Sequence, residues 1–316
     1  MASPFSQKQR QPPSPPAVEV CREPDLREAL TLALRTLSAD QRAPLVDSLS
    51  KQRGEPLMLF QGLVVAKQAG EVVAACWAQP QPGKGCSLWT PQFKSDEPCA
   101  ELSQRLIERA VAVAQEAGVS LVQTLLESPH DPMHEPLQRC GFQQVTRLYY
   151  LEWKLREIGP VACGIQAEFE PYDPANPRRL ESLISATYRS TLDFPELDKL
   201  RDVRDVVNGY KRAGEFRPEL WNYITARGRD LGVLLLTEYP DSCQLELVYI
   251  GLIDEVRGKG LVAVAVNKAQ QLACELNVDR IVLAVDARNT PADALYRRAG
   301  FREWADRFVY LRANRG

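Results

Sequence analysis

An α/β fold, with mixed and mostly antiparallel sheets flanked by helices and repeated as two tandem domains, follows from three observations. The chain has 316 residues, more than one ordinary core needs and suited to two domains of about 150 residues. Apolar residues alternate between strand-like runs and helical spacing in the order strands, helix, strand, helix, strand. That order occurs twice, each time ending in a short helix, a Gly-Phe stop and an aromatic-rich strand: "LQRCGFQQVTRLYYLEWKL" from Leu137 and "LYRRAGFREWADRFVYLRA" from Leu295.

Taken in order, residues 1–17 are rich in Pro, Ser and Gln and lack the apolar centre of a signal peptide, so a disordered tail is expected. The first domain, 18–158, carries "LVVAKQAGEVVAACWA", in which a Gly turn separates β-branched runs, then a fourth strand "CSLWTPQ". The amphipathic helix "AELSQRLIERAVAVAQEAG" and the strand "LVQTLLES" follow. The boundary falls around "REIGPVACG", and the second domain, 159–316, opens with "IQAEFEPYD". Its strands are "LWNYITARGRDLGVLLLTEYP" and "LELVYIGLI". A helix beginning after Gly260 places Leu261, Val264, Ala265, Leu272 and Leu276 at helical spacing, and "RIVLAVDA" returns as a strand. Each strand-helix-strand unit favours parallel pairing through a right-handed crossover.

Composition excludes several function classes. No apolar run approaches the roughly 20 residues that cross a bilayer, and no basic block interleaves with aromatics as a nucleic-acid site requires. Eight scattered cysteines without a Cys-x-x-Cys pair fit reduced thiols in a cytoplasm. The two histidines, His130 and His134, flank Pro132, which disfavours the helix that would align them, so no metal site is expected. The second half has no histidine, so it cannot by itself assemble a Ser-His-Asp relay.

The stretch "VRGKGL", residues 256–261, sits where a strand hands over to a helix. The first N–H groups of a helix lack internal partners and the peptide dipoles add positive potential, so an anion satisfies both. Gly258 and Gly260 let the backbone approach closely, and Arg257 and Lys259 add charge, an arrangement suited to pyrophosphate. An ordinary solvated turn is the alternative, since neither a Gly-x-x-x-x-Gly-Lys-Ser/Thr loop nor Gly-x-Gly-x-x-Gly is met. The first half offers "FKSDEPCAELSQ" at the corresponding place, with no glycine pair and two consecutive acids.

"LVYIGLIDEVRGKGL" followed by "VLAVDARNTPADALYRRAGF" resembles the GNAT superfamily of N-acetyltransferases. The loop is similar to the family's acetyl-CoA loop over Arg257–Val262, and the later pattern matches Asn289, Ala292, Leu295, Tyr296, Gly300 and Phe301. The resemblance covers about residues 230–311 and departs from the family at Asp254, where Pro is usual, and at Val262, where Gly or Ala is usual. It implies that Arg257, Gly258, Lys259, Gly260, Leu261 and Val262 hold the CoA pyrophosphate through their amides. Ile250 and Leu252 would pair with pantetheine, and Asn289 would contact the same arm. The first domain would keep the fold without the cofactor site and shape a substrate cleft or a dimer surface.

Acetyl transfer to an amine needs a base, a polarised thioester and an acid for the departing thiolate. Glu246, flanked by Leu245 and Leu247, is the expected base, its alternative being a solvated strand carboxylate. Tyr296 is the expected acid, a phenol with ordinary pKa near 10 facing a thiol near 8.5, its alternative being a plain core residue. The Leu252 amide is placed to polarise the carbonyl. In the segment that caps the acceptor in such proteins, Asp193, Glu196, Trp221 and Tyr223 are positioned either to meet substrate or to form a solvated hairpin. The expected activity is acetyl-CoA-dependent transfer to an amine of a small molecule or peptide, with no nucleic acid, membrane or metal involved and a homodimer left open. A non-catalytic acyl-CoA-binding module is the alternative.

Overall fold

The computed structural model describes residues 14–51, 60–81, 84–161, 163–189 and 202–313. Most of the expected tail, and the candidates Asp193 and Glu196, lie outside them; Ala17 already belongs to the first strand. In chain order the elements are β1 (Ala17–Val20), α1 (Leu26–Ala33), α2 (Ala39–Lys51), β2 (Leu63–Gln68), β3 (Glu71–Gln81), β4 (Gly85–Phe93) and α3 (Ala100–Glu116). Then come β5 (Leu121–Leu126), α4 (His134–Arg139), β6 (Gln143–Lys154), β7 (Glu168–Pro171), α5 (Pro177–Thr187) and α6 (Val203–Arg212). The chain finishes with β8 (Trp221–Ala226), β9 (Arg229–Tyr239), β10 (Gln244–Leu252), α7 (Leu261–Glu275), β11 (Arg280–Asp286), α8 (Thr290–Arg298) and β12 (Arg302–Ala313).

Two compact units interleave along this sequence. One contains residues up to Pro80 with Ser87–Gly118 and Pro132–Gly141; the other contains Gln81–Cys86, Val119–Asp131 and everything from Phe142. In the first unit the strands stand in the order β1-β2-β3-β4. The apolar stripe of α1 (Ala29, Leu30, Ala33) packs with Leu63, Val65, Ala75 and Trp77 of the sheet.

The second unit orders its strands β5-β12-β6-β11-β10-β9-β8-β7. Among the described ladders of this unit β10 and β11 are paired in parallel, joined through α7 as the strand-helix-strand pattern requires. The antiparallel ladders of β6 run to β11 on one side and β12 on the other, and β12 also pairs with β5. The last strands of the two sequence repeats are therefore exchanged: β6, from the first copy, lies beside the second copy's β11, and β12 lies beside the first copy's β5. This is why residues 142–158 group in space with the second half of the sequence. Leu151 and Trp153 of β6 are fully buried in that core, so the exchange is held by apolar packing as well as by main-chain bonds.

Two irregularities make a site. The parallel pairing of β10 with β11 lasts only from Gln244–Glu246 to Arg280–Val282, although β10 continues to Leu252 and β11 to Asp286. The strands thus splay into a notch. Val248 is a bulge in the β9–β10 ladder, since Leu247 faces Leu236 and Tyr249 faces Leu235.

Candidate active site

Strand alternation assigns the side chains around the notch to two faces. Glu246 pairs with Val282, whereas Arg297 of α8 lies over Tyr149 and bridges Glu303, residues registered with Val285 and Leu151 on the opposite face. Gln270 of α7 bonds the Ala299 carbonyl at the end of α8, so α7 accompanies α8 on that face. After the bulge Tyr249 returns to the Glu246 face, where its hydroxyl shares a 2.9 Å hydrogen bond with Thr187 of α5 and its ring stacks on Tyr210 of α6. The notch is therefore flanked by α5 and α6 on one face and by α7 and α8 on the other.

At its mouth, the loop 253–260 has the backbone of a cradle. Gly258 and Gly260 take positive φ, 73° and 83°, and Gly260 is the N-cap of α7; a side chain there would force a left-handed conformation that costs L-residues about 1–2 kcal/mol. Among the described residues, the amides of Gly258, Lys259 and Gly260 donate to no backbone carbonyl. Val262 is half-buried and packs its branched side chain against the core. Arg257, expected to add charge to the loop and to offer its amide to pyrophosphate, has both groups engaged within the protein. Its guanidinium bonds the carbonyls of Leu252 (3.0 Å) and Thr187 (2.6 Å) and pairs with Asp254 (2.6 Å), and its amide bonds Asp254. The cation braces the loop, and Asp254, where Pro was expected, supplies its partner.

The notch edge of β10 follows from one hydrogen bond. Ile253 donates to Leu231 on the β9 side, so the main-chain groups of Leu252, and of Ile250 two residues back, face the notch. Across it, Asn289 caps α8, its Oδ1 accepting from the Ala292 amide at 3.3 Å. Asp286, fully buried at the end of β11, fixes this edge. Burial alone would raise its pKa, but hydrogen bonds from Arg288 and Thr146 outweigh that and hold the carboxyl below its usual range.

Glu246 sits at the vertex of the notch. Burial pushes its carboxyl above the ordinary value, opposed by a 2.8 Å hydrogen bond donated by the Tyr239 hydroxyl. Tyr239 was missed by sequence reasoning, although the signal was available: the tight β9–β10 turn pairs Tyr239 with Gln244, so Glu246 is its diagonal neighbour on one face. Tyr150 of β6 is a second omission; burial raises its pKa, Arg307 opposes this, and the nearby Glu246 charge adds to the rise. Tyr296 is 5% exposed on α8, in the core cluster and edge to face with Phe301, on the helix that packs on the face opposite Glu246. Trp221 and Tyr223 correct the sequence expectation of an acceptor contact. They are core residues of β8, 0% and 1% exposed, because that strand is buried on both faces.

The chain and its fold are similar to known proteins. Residues 185–301 match the acetyltransferase (GNAT) family. The chain is 36% identical over 83 residues to an uncharacterized N-acetyltransferase, YdgE, of Bacillus subtilis (strain 168), covering 26% of this chain and 53% of that protein. It therefore spans about half the length of that curated relative. The fold is similar to that of a GCN5-related N-acetyltransferase from Sphaerobacter thermophilus, with a TM-score of 0.67 at 15% identity over 96% of this chain and 97% of that one. It is also similar to a tandem GNAT protein from the clavulanic acid biosynthesis pathway, with a TM-score of 0.53 at 14% identity over 92% and 94%. The fold is thus similar to that of a tandem GNAT protein, and the match to the acetyltransferase (GNAT) family lies within residues 185–301.

Proposed function

We propose that the protein is an acetyl-CoA-dependent N-acetyltransferase of the cytoplasm, moving an acetyl or small acyl group to an amine of a small molecule or peptide, with chemistry in the second unit. The observation that carries this reading is the notch between β10 and β11, with Glu246 at its vertex and two left-handed glycines at its mouth. The amides from Gly258 to Val262 would hold the pyrophosphate, and Ile250, Leu252 and Asn289 the pantetheine arm. When bound, that co-substrate supplies an activated acetyl thioester.

The chain's own groups then divide the proton work. An alkyl ammonium holds its proton to about pH 10, so a base is needed at neutrality. A Glu246 Oε atom accepts it, helped by the burial that raises its proton affinity. The Leu252 N–H polarises the carbonyl to be attacked. The Tyr296 hydroxyl, on the other face, returns a proton to the leaving sulfur. Base and acid thus serve opposite sides of one opening. All eight cysteines are free thiols, and among the described residues no helix is long and apolar enough to cross a membrane.

Titration with acetyl-CoA by calorimetry, followed by thiol release over an amine panel, tests this reading. Binding with turnover is expected; binding without release for any amine would establish the non-catalytic alternative. Tyr296→Phe is expected to slow transfer while leaving acetyl-CoA affinity in place, and an undiminished rate would remove Tyr296 from the mechanism.

A further inference from the structure

The Glu246 face continues beyond the notch across β11, β6 and β12. Next to Val282 on that face stand Ala284 of β11 and Tyr150 of β6, registered with each other, and then Ala305 of β12. The β6–β12 ladder is irregular here, because Glu303 faces Leu151 and Ala305 faces Tyr150. Trp304 is the extra residue, and the bulge aims it out of the sheet. Its ring meets Tyr150 edge to face at 5.9 Å, which puts it on the Glu246 side.

Trp304 is nevertheless 55% exposed, the most exposed large hydrophobic side chain among the described residues. One exposed indole is ordinary by itself; its contact with Tyr150 and the neighbouring cation make it part of a cluster with a large, flat contact area. The Arg307 guanidinium lies 5.9 Å from the Tyr150 ring centre and is anchored by Glu127 at 2.7 Å. Two aromatic planes at 65° and a tethered cation thus form a corner open to solvent. On the other side of Glu246 the aromatic groups are already committed to one another: Tyr249 stacks on Tyr210, and the hydroxyls of Tyr188 and Tyr210 share a hydrogen bond of 3.1 Å.

We propose that Trp304, with Tyr150 and Arg307, is the acceptor subsite: it takes a planar, apolar body tethered to the amine whose nitrogen reaches the notch beside Glu246. The inference rests on the transferase reading and names its substrate class, an amine carrying an aromatic or similarly flat group. Strand spacing sets the tether. With β6 and β12 one and two strands beyond β11, at about 4.8 Å each, ring and nitrogen lie about 5–10 Å apart, a chain of about three to six methylenes.

The test compares ω-phenylalkylamines of increasing chain length with n-alkylamines of matched length, in wild type, Trp304→Ala and Trp304→Phe. At the favoured length the phenyl series should exceed the alkyl series about tenfold in kcat/KM. That preference should collapse toward unity in Trp304→Ala, survive in Trp304→Phe, and leave the KM for acetyl-CoA unchanged throughout. Because Trp304 is exposed, its truncation should leave the unfolding midpoint in place. In parallel, saturation-transfer NMR without acetyl-CoA should mark the phenyl protons in wild type and Trp304→Phe but not in Trp304→Ala. An equal phenyl preference in wild type and Trp304→Ala, or no preference at any length, would overturn the subsite while turnover of n-alkylamines left the transferase reading standing. If no amine were turned over, that reading would fall, and the NMR signal alone would uphold or refute the subsite.

Discussion

Phe93 and Leu252 end strands of nine residues, β4 and β10, and the two ends are built alike. The residue after each donates to the neighbouring strand, Lys94 to Val73 and Ile253 to Leu231, both at 2.9 Å. An arginine then bonds each last carbonyl and an acid in the following loop: Arg35 serves Phe93 and Asp96, Arg257 serves Leu252 and Asp254. A helix follows in both. The differences are small and local. The first loop, residues 94–99, enters α3 through Cys99 in extended conformation, whereas the second, 253–260, is longer and enters α7 through a left-handed glycine. End-to-end alignment of the strands sets Ser87 against Glu246, and Pro91, which has no N–H, against Ile250. One scaffold thus yields a cradle or an ordinary turn according to a few residues.

The largest effect should come from the pair at the middle of these strands. Glu246→Gln is expected to lower kcat about 100-fold or more with acetyl-CoA affinity retained, while Ser87→Ala leaves turnover within about twofold. Steady-state kinetics decide it, and equal responses would dissolve the contrast. Giving the second loop the first loop's acidity, by Gly258→Asp with Gly260→Asp, should weaken acetyl-CoA binding about 10- to 100-fold, because two carboxylates and two left-handed strains are introduced at the proposed pyrophosphate cradle. Calorimetry would show an unaltered Kd if the loop is only a turn.

A finer probe is Tyr239→Phe. The hydroxyl opposes the burial-driven rise of the Glu246 pKa, so its loss should raise that pKa further and move the acid limb of the kcat profile to higher pH. The sign for stability agrees. A carboxyl whose folded pKa lies above its unfolded value binds more protons in the native state, so stability falls as pH rises from the ordinary carboxylate range through the raised one. The variant should widen that window, and a kcat profile identical to wild type would disconnect Tyr239 from the base. The smallest effect should separate the two arginines: Arg257→Ala raises the Kd for acetyl-CoA a few-fold by loosening the loop, whereas Arg35→Ala costs stability of about 1–3 kcal/mol and leaves that Kd unchanged. Parallel denaturation and calorimetry would reveal the reverse pattern at once.

Much of this was legible in the residues. The Gly-Phe stops recur as Gly141 and Gly300, both with positive φ, followed by Phe142 and Phe301, both 2% exposed. The strand and helix order, the glycine loop and the flanked Glu246 were likewise visible, because periodicity and turn chemistry are local. The Tyr239–Glu246 bond was within reach of hairpin register. The burial of Trp221 and Tyr223 was not, since a strand rich in aromatics reads the same at a surface and in a core.

The sequence by itself determined the strands and helices from β2 to β6 and from β8 to β12, that the plan is written twice, and that only the second copy has a glycine pair between its fourth strand and its helix, whereas α1, α2 and α5 went unread. Those outcomes depend on φ preferences and on neighbours a few residues away. The tertiary structure alone decided that β6 and β12 trade places, that Arg257 braces its loop, and that Trp304 and Tyr150 share a face with Glu246. Each of these joins residues far apart in the chain, and interchangeable apolar strands carry no local mark of the partner they will choose.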